Sequence, residues 1–186
     1  TQEYIWESMD EISAEFLASF ATLMRAILEN SRKEYVSLEE EFKTIRLYVE
    51  LEHRRSNGRF EYQLSLDPRL EASRIKILPL ILQPFIENAI WHGLGKKDEG
   101  GMLRVEIKKL DDTNMEVLIE DNGVGRKQPN SSSVPSNSLG QSITQQRLEK
   151  LMEATRKKAT VQIIDLFNQQ GIAAGTRVLL LLPIFE

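Results

Sequence analysis

One string in the sequence, Glu87-Asn88-Ala89-Ile90-Trp91-His92-Gly93, has the residue types of a metal or phosphate site. The apolar spacing around it predicts a helix from Leu80 to Leu94. At about 100° per residue, Asn88 and His92 share a face that points away from the apolar stripe. An amide oxygen is a hard ligand suited to Mg²⁺, which completes its shell with phosphates and water. The string therefore predicts a Mg²⁺-phosphate site or, alternatively, a solvated helix face that ends at Gly93.

A second string, Asp121-Asn122-Gly123-Val124-Gly125, directly follows a run that we interpret as a strand, Met115 to Ile119. Two glycines allow the backbone to approach a ligand closely. A carboxylate at the end of a strand can accept a hydrogen bond from the amino group of adenine. The alternative is an ordinary turn, because aspartate, asparagine and glycine are the common turn residues.

Composition and missing motifs exclude several classes of protein. The 186 residues include no cysteine and two histidines, so a cysteine metal site and disulfides are excluded and a reducing compartment is expected. The net charge of −4 argues against a nucleic-acid partner, and no apolar run approaches the length of a membrane span. The P-loop motif is absent, and Gln128 stands where a Rossmann motif needs its third glycine. Because the chain begins at Thr1, we interpret it as part of a longer protein.

Two predicted helices precede these strings. Apolar residues recur every three or four positions from Ile5 to Ile27, which predicts a first helix with a dimerisation seam. Ser37 to Glu40 form a capping box that predicts the start of a second helix, and the turn residues Asn57-Gly58 follow its end. We therefore expect two units, a helical segment over residues 1–56 and a second domain over 57–186.

The second domain is predicted to be α+β with a mixed sheet, because hairpin-like strand pairs alternate with helices. A helix is expected from Gln141 to Ala154. The stretch from Arg126 to Leu139 is rich in serine, proline and asparagine and is predicted to be mobile. The predicted strands are Phe60–Leu66, Leu103–Ile107, Met115–Ile119, Val161–Ile163 and Val178–Leu182.

Together these strings resemble the ATP-binding domain of sensor histidine kinases in the GHKL superfamily, and in particular the LytS-type group. Pro79 to Leu94 is similar to the family's Asn-box, and Asp121 to Gly125 to its first glycine box. Further similarities lie in the late Arg-Leu motif, the C-terminal motif and the late part of the dimerisation segment. These are Gln146–Leu151, Gly175–Val178, Leu23–Arg25, Ser37–Glu41 and Tyr48–Glu52.

The resemblance implies a Bergerat-type α/β sandwich that binds ATP and Mg²⁺. In that family pattern Asp121 receives the adenine amino group, Gly123 and Gly125 shape the pocket, and Thr176 supports the base. Asn88 coordinates Mg²⁺. The other positions that the resemblance assigns are Glu87 and His92, which line the catalytic site beside Asn88, and Gly140, where the mobile segment meets the phosphates.

The resemblance also implies a reaction and partners. The γ-phosphoryl group of ATP would pass to a histidine and then to an aspartate of a response regulator. The whole protein would be a homodimer, with this region cytoplasmic and an upstream sensor in the membrane. Nucleic acid is not an expected partner.

The sequence departs from the family in two places. The family's Asn-Pro-His-Phe acceptor motif is absent, so this chain is not expected to phosphorylate itself, and His53 is predicted to be a surface histidine in a charged turn. The second glycine box, Gly-x-Gly-Leu, reads Ser138-Leu139-Gly140-Gln141. Two alternatives therefore stay open, a degenerate module that acts through protein contacts and another GHKL ATPase or serine kinase.

Overall fold

The computed structural model describes residues 2–97, 99–126 and 139–186. Most of the segment predicted to be mobile, residues 127–138, lies outside these ranges. Among the described residues, no helix combines the length and apolar character needed to cross a membrane.

Two long helices open the chain, as predicted. Helix α1 spans Gln2–Ser31 and helix α2 spans Leu38–Arg55. The Ser37 side chain accepts from the Glu40 N–H at 3.1 Å, and the Glu40 carboxylate accepts from the Ser37 N–H at 3.0 Å. The predicted capping box is thus confirmed, and it fixes where α2 begins.

The remaining elements form a mixed sheet with helices, which confirms the α+β class. In the five-stranded sheet, with order β2-β4-β5-β7-β6, β2 runs parallel to β4 and the other neighbours are antiparallel. A small antiparallel pair, β1-β3, was not predicted because two-residue strands carry no readable period. The bounds are β1 Val36–Ser37, β2 Phe60–Leu66, β3 Lys76–Ile77, α3 Gln83–Asn88, β4 Gly101–Lys109, β5 Asn114–Asp121, α4 Leu139–Thr155, β6 Thr160–Phe167 and β7 Ala173–Pro183.

A single apolar core joins α2 to the sheet domain. Leu38 and Val49 of α2 are fully buried in the same cluster as Ile107 of β4 and Ile119 of β5. Burial of each such side chain contributes about 1.5–3 kcal/mol. The boundary between residues 56 and 57 stays a prediction, and α2 packs with the elements on its C-terminal side as well as with α1.

The Asn-box does not form the single helix predicted from Leu80 to Leu94. Leu80 has a φ of +58°, a left-handed conformation that cannot belong to a right-handed helix, so α3 begins only at Gln83. After Asn88 the chain continues as a π-helical turn, Ala89–Gly93, and then as a 3₁₀ turn, Leu94–Lys96. Such π-helical turns are rare in proteins, and many of those that occur lie at functional sites.

His53, predicted to be a surface histidine in a charged turn, lies in the last turn of α2 and also packs against aromatic rings. It is half-buried, and its ring lies edge-on to Phe60 and Tyr62, with centroid distances of 5.5 and 5.3 Å. The return of the chain from α2 into β2 brings these aromatic rings over the histidine, which local sequence cannot reveal.

Candidate functional site

A cavity of about 700 Å³ opens between the Asn-box helix and the sheet. Its walls come from α3 with the π-helical turn, from the glycine-box loop after β5, and from the β6-β7 hairpin. The lining residues are Phe85, Asn88, Ala89, His92, Gly93, Lys96, Ile119, Asp121, Val124, Gly125, Arg126, Ile163, Phe167, Gly171, Ala173, Thr176 and Val178. Its size is that of a pocket for a small molecule or cofactor.

Asp121 is the buried carboxylate of this cavity, with 3% of its surface exposed. Its Oδ1 accepts the Gly123 N–H at 2.8 Å, and the Thr176 N–H also hydrogen-bonds the carboxylate. Burial raises the pKa of Asp121 to about 6, although these two N–H groups pull it down. The residue therefore presents a hydrogen-bond acceptor at neutral pH inside a mostly apolar pocket.

Glycines allow the backbone to close around Asp121. A Cβ on Gly93 would lie 2.5 Å from Asp121 Oδ1, and a Cβ on Gly123 would lie 2.2 Å from the Gly93 carbonyl carbon. The Val124 N–H also donates to the Gly93 carbonyl oxygen at 3.2 Å. The Asn-box and the glycine box are thus in direct backbone contact, at a separation that no larger residue would permit.

Five of the predicted site residues line the cavity: Asn88, His92, Asp121, Gly125 and Thr176. Two others do not. Gly123 is buried behind the wall against Gly93, and Glu87 is exposed and accepts a 2.8 Å hydrogen bond from Gln83 Nε2.

Asn88 and His92 lie on the helix side of the cavity, where their predicted shared face places them. Asn88 is half-buried and His92 is exposed. Gly140 lies in the first turn of α4, and its surroundings fall outside the described residues. The roles assigned to these residues stay predictions.

Sequence reasoning missed the wall formed by the β6-β7 hairpin. Ile163, Phe167, Ala173 and Val178 give the cavity an apolar surface opposite the Asn-box helix. The sequence predicted strands at Val161–Ile163 and Val178–Leu182, but a strand prediction does not indicate which space the strand borders.

Two cations were also missed. Lys96 lines the cavity from the 3₁₀ turn, and Arg126 lines it directly after the glycine box. Arg126 makes a two-pronged contact with Asp165 of β6, at 2.6 and 2.9 Å, which links the loop to the hairpin. The cavity thus combines an apolar interior with positive charge near its rim, a combination suited to a ligand with a flat ring and anionic groups.

Comparisons with known proteins find similarity to histidine kinases. The family model described as histidine kinase matches residues 2–60. A curated relative, the sensor histidine kinase/phosphatase LytS of Staphylococcus aureus strain MRSA252, is 28% identical over 115 residues. This match covers 62% of the present chain and 19% of the relative, so the chain spans about a fifth of the LytS protein.

Solved histidine kinases share the fold. The histidine kinase domain of the blue-light activated kinase EL346 from Erythrobacter litoralis superposes with a TM-score of 0.58 and 15% identity, covering 95% of this chain and 83% of that one. The histidine kinase ThkA, solved in complex with the response regulator protein TrrA, superposes with a TM-score of 0.53 and 17% identity, covering 96% and 51%. The α+β domain with its mixed sheet thus has the same overall fold as these histidine kinase domains. The chain is thus similar in sequence to LytS-type sensor histidine kinases, and it shares the fold of histidine kinase catalytic domains.

Proposed function

We propose that this chain binds ATP in the cavity and supplies the ATP-binding half of a histidine kinase reaction. The observation that carries the proposal is the buried Asp121 carboxylate, an acceptor inside a pocket with apolar walls. An adenine ring would pack between those walls and donate its amino hydrogen to Asp121. A guanine offers a carbonyl oxygen at the corresponding position, so the acceptor would reject it.

The rest of the nucleotide would extend past Asn88 and His92 toward the rim. Thr176 lies opposite Asp121 in the β5-β7 register and would support the base through its hydroxyl. Gly125 has a φ of +67°, and a Cβ there would lie 2.8 Å from the Ala173 Cβ, so its role would be to let the loop turn over the base. Lys96 would meet negative charge of the phosphates.

Asn88 would hold Mg²⁺ on the phosphates. The described residues contain no group of three or more histidine, aspartate or glutamate side chains that could hold a metal by themselves. This suits Mg²⁺, which takes one or two protein oxygens and obtains the rest from phosphates and water. When bound, the ion would neutralise charge on the transferring phosphoryl group. Glu87, His92 and Gly140 are further candidate residues of this site.

The reaction proposed for the whole protein is transfer of the γ-phosphoryl group to a histidine, followed by relay to a response-regulator aspartate. This chain's residues would mainly orient the nucleotide and exclude water from it. The complex of ThkA with a response regulator supports the class of partner. We place the region in the cytoplasm, as a part of a membrane-anchored sensor.

We also propose a homodimer through α1. Leu23 and Ile27 turn toward the core that includes α2, whereas Leu17, Phe20, Met24 and Leu28 form a second apolar stripe that is exposed. An unpartnered apolar stripe at near-heptad spacing is typical of a helix that pairs with a second copy.

Calorimetric titration with a non-hydrolysable ATP analogue tests the central proposal. We expect saturable binding that strengthens with Mg²⁺, and much weaker binding of the matching GTP analogue. An absence of heat would overturn it if ligand at about 100 times the expected dissociation constant also failed to add the roughly 2.7 kcal/mol of stability that binding requires. That result would favour a module that acts through protein contacts.

A further inference from the structure

A second buried carboxylate lies outside the cavity, on α2. Glu41 is 1% exposed, and its Oε2 accepts the Leu80 N–H at 2.8 Å while its Oε1 accepts the Leu82 N–H at 3.5 Å. Burial raises the pKa of Glu41 to about 7, against the pull of these N–H groups and of Arg147. A buried ionisable group is costly, so its contacts must be well formed for it to persist.

The segment that Glu41 holds is strained. Leu80, in the segment from Pro79 to Leu82, has a φ of +58°, which a side chain of its size rarely adopts. Leu82 opens α3 without any side-chain cap of its own. A strained residue of this kind persists only where its surroundings determine its conformation, and such residues cluster at functional sites.

Arg147 of α4 holds the same segment from the other side. Its Nη2 donates to the Pro79 carbonyl oxygen, and its guanidinium is half-buried. Arg147 also interacts electrostatically with Glu41. Two helices that are far apart in the sequence therefore meet at one turn, and each contributes a side chain of opposite charge.

This turn is joined directly to the cavity wall. The Leu82 carbonyl oxygen accepts the N–H groups of Phe85 and Ile86 at 3.2 and 3.3 Å, and Phe85 lines the cavity. Asn88 follows one turn later on the same short helix. A displacement of residues 79–82 would thus move the residues that face the nucleotide.

We propose that Glu41 and Arg147 are positioning residues for the nucleotide site. They act by fixing residues 79–82, which in turn set the placement of Phe85 and Asn88. The inference rests on the proposed function, because the consequence that matters is nucleotide binding. Neither residue lines the cavity, so neither is assigned a catalytic role.

Binding of the ATP analogue to folded variants tests the proposal. We expect Glu41→Gln and Arg147→Met each to weaken binding about ten-fold, the size typical of a lost charge-assisted hydrogen bond. The double variant should be little weaker than either single one, because both act on the same turn. The matched controls are Glu39→Gln and Lys150→Met, exposed residues of the same two helices that should bind like the parent. Unchanged affinity in folded variants would overturn the proposal.

Hydrogen exchange without nucleotide separates this proposal from the proposed function. Glu41→Gln should accelerate exchange at residues 80–93 about ten-fold, while amides of β5 stay protected. Acceleration confined to Leu80 and Leu82 would mean a local structural role and would overturn the inference. If the parent chain does not bind the analogue, the proposed function fails. The exchange result alone then decides whether Glu41 fixes the conformation of residues 80–93.

A conservative variant covers the case in which Glu41→Gln does not fold. Arg147→Lys keeps a cationic donor near the Pro79 carbonyl and should recover part of the affinity lost in Arg147→Met. Equal losses in the two variants would contradict a role for the donor.

Discussion

The two sides of the cavity are built in different ways. The side around Asp121 is fixed by strand register and by backbone packing, since Asp121 pairs with Thr176 and the Gly93 and Gly123 backbones touch. The side around Asn88 belongs to a six-residue helix and a π-helical turn, which side chains from α2 and α4 hold in place. The contrast indicates a rigid side around Asp121 and a side around Asn88 whose geometry depends on distant helices. The function proposed above assigns the base to the first side and the phosphates to the second.

Trp91 gives a second example of a residue near Asn88 that side chains of α2 hold in place. This residue is 55% exposed, yet its Nε1 donates to the Tyr48 hydroxyl at 3.0 Å and Arg55 lies over its ring. Helix α2 therefore contacts the Asn-box segment along its length, through Glu41 in its first turn, Tyr48 in its middle and Arg55 at its end. Substitutions in α2 should therefore alter the side of the cavity around Asn88 more than the side around Asp121.

Gly123→Ala should break the rigid side and have the largest effect. Its Cβ would lie 2.2 Å from the Gly93 carbonyl carbon, so the two loops must separate. We expect a loss of more than about 3 kcal/mol in the free energy of unfolding, measured by urea denaturation. Gly171→Ala is the control, because its added methyl meets open space and costs only about 1 kcal/mol for the left-handed backbone. A loss equal to that of the control would refute the claim that the Gly93–Gly123 backbone contact fixes the side of the cavity around Asp121.

Asp121→Asn should change the pH dependence of stability. The folded pKa of Asp121, about 6, lies above its ordinary value of 3.8, so between these values the folded chain holds more protons than the unfolded chain. The stability that this group contributes is complete below pH 4 and is lost as the pH rises through 6, by about 3 kcal/mol.

The asparagine variant lacks this titration. Its free energy of unfolding relative to the parent should therefore increase between pH 4 and pH 7, as followed by denaturation at a series of pH values. Parallel curves for the two proteins would show that the Asp121 carboxylate is not held in the buried state seen here.

The same substitution should weaken nucleotide binding. The substitution replaces the carboxylate that is proposed to accept the adenine amino hydrogen. We expect affinity for the ATP analogue to fall about ten- to a hundred-fold. Asp112→Asn, in an exposed hairpin turn, should leave affinity unchanged. If Asp121→Asn bound as tightly as the parent, the base-side assignment of the cavity would be wrong.

Tyr48→Phe should have the smallest effect on stability and nucleotide affinity. It tests how much a second contact from α2 contributes to the side of the cavity around Asn88. It removes the acceptor of the Trp91 Nε1 hydrogen, a half-exposed interaction worth about 0.5–1 kcal/mol of stability. We expect nucleotide affinity to fall no more than about three-fold, because Glu41 still holds the segment from its other end. Tyr62→Phe is the control, because Tyr62 lies in β2 with its ring beside His53 and does not line the cavity. A larger loss than that of Glu41→Gln would make Tyr48 the main positioning contact.

Sequence reasoning found the elements whose signal is local. The capping box at Ser37, the alternating strand Phe60–Leu66 and the helix stripe of α1 each contain the full cause of their structure within a few residues. The long predicted helix over the Asn-box failed because its start depends on Leu80, whose left-handed backbone is held by contacts from 39 and 68 positions away through Glu41 and Arg147.

The site was predicted only in part for the same reason. Asp121 and Asn88 stand in strings with recognisable spacing, and the structure brings both to one cavity. Phe167 and Arg126 gave no comparable signal, since an apolar strand residue or a surface cation has many roles. The pairing of β6 with β7 brings Phe167 to this cavity, and the loop after β5, tied to β6 through Asp165, brings Arg126 there.

The sequence by itself determined the order of the four α-helices and of the five strands in the main sheet, the residue types of the two strings and their resemblance to histidine kinases. These follow from periodicity, capping and turn chemistry, which act over a few residues. The tertiary structure decided that Gly93 and Gly123 touch, that Glu87 does not line the cavity and that Glu41 and Arg147 meet at one turn. Those facts depend on close packing and on the burial of charge, which exist only when distant segments come together.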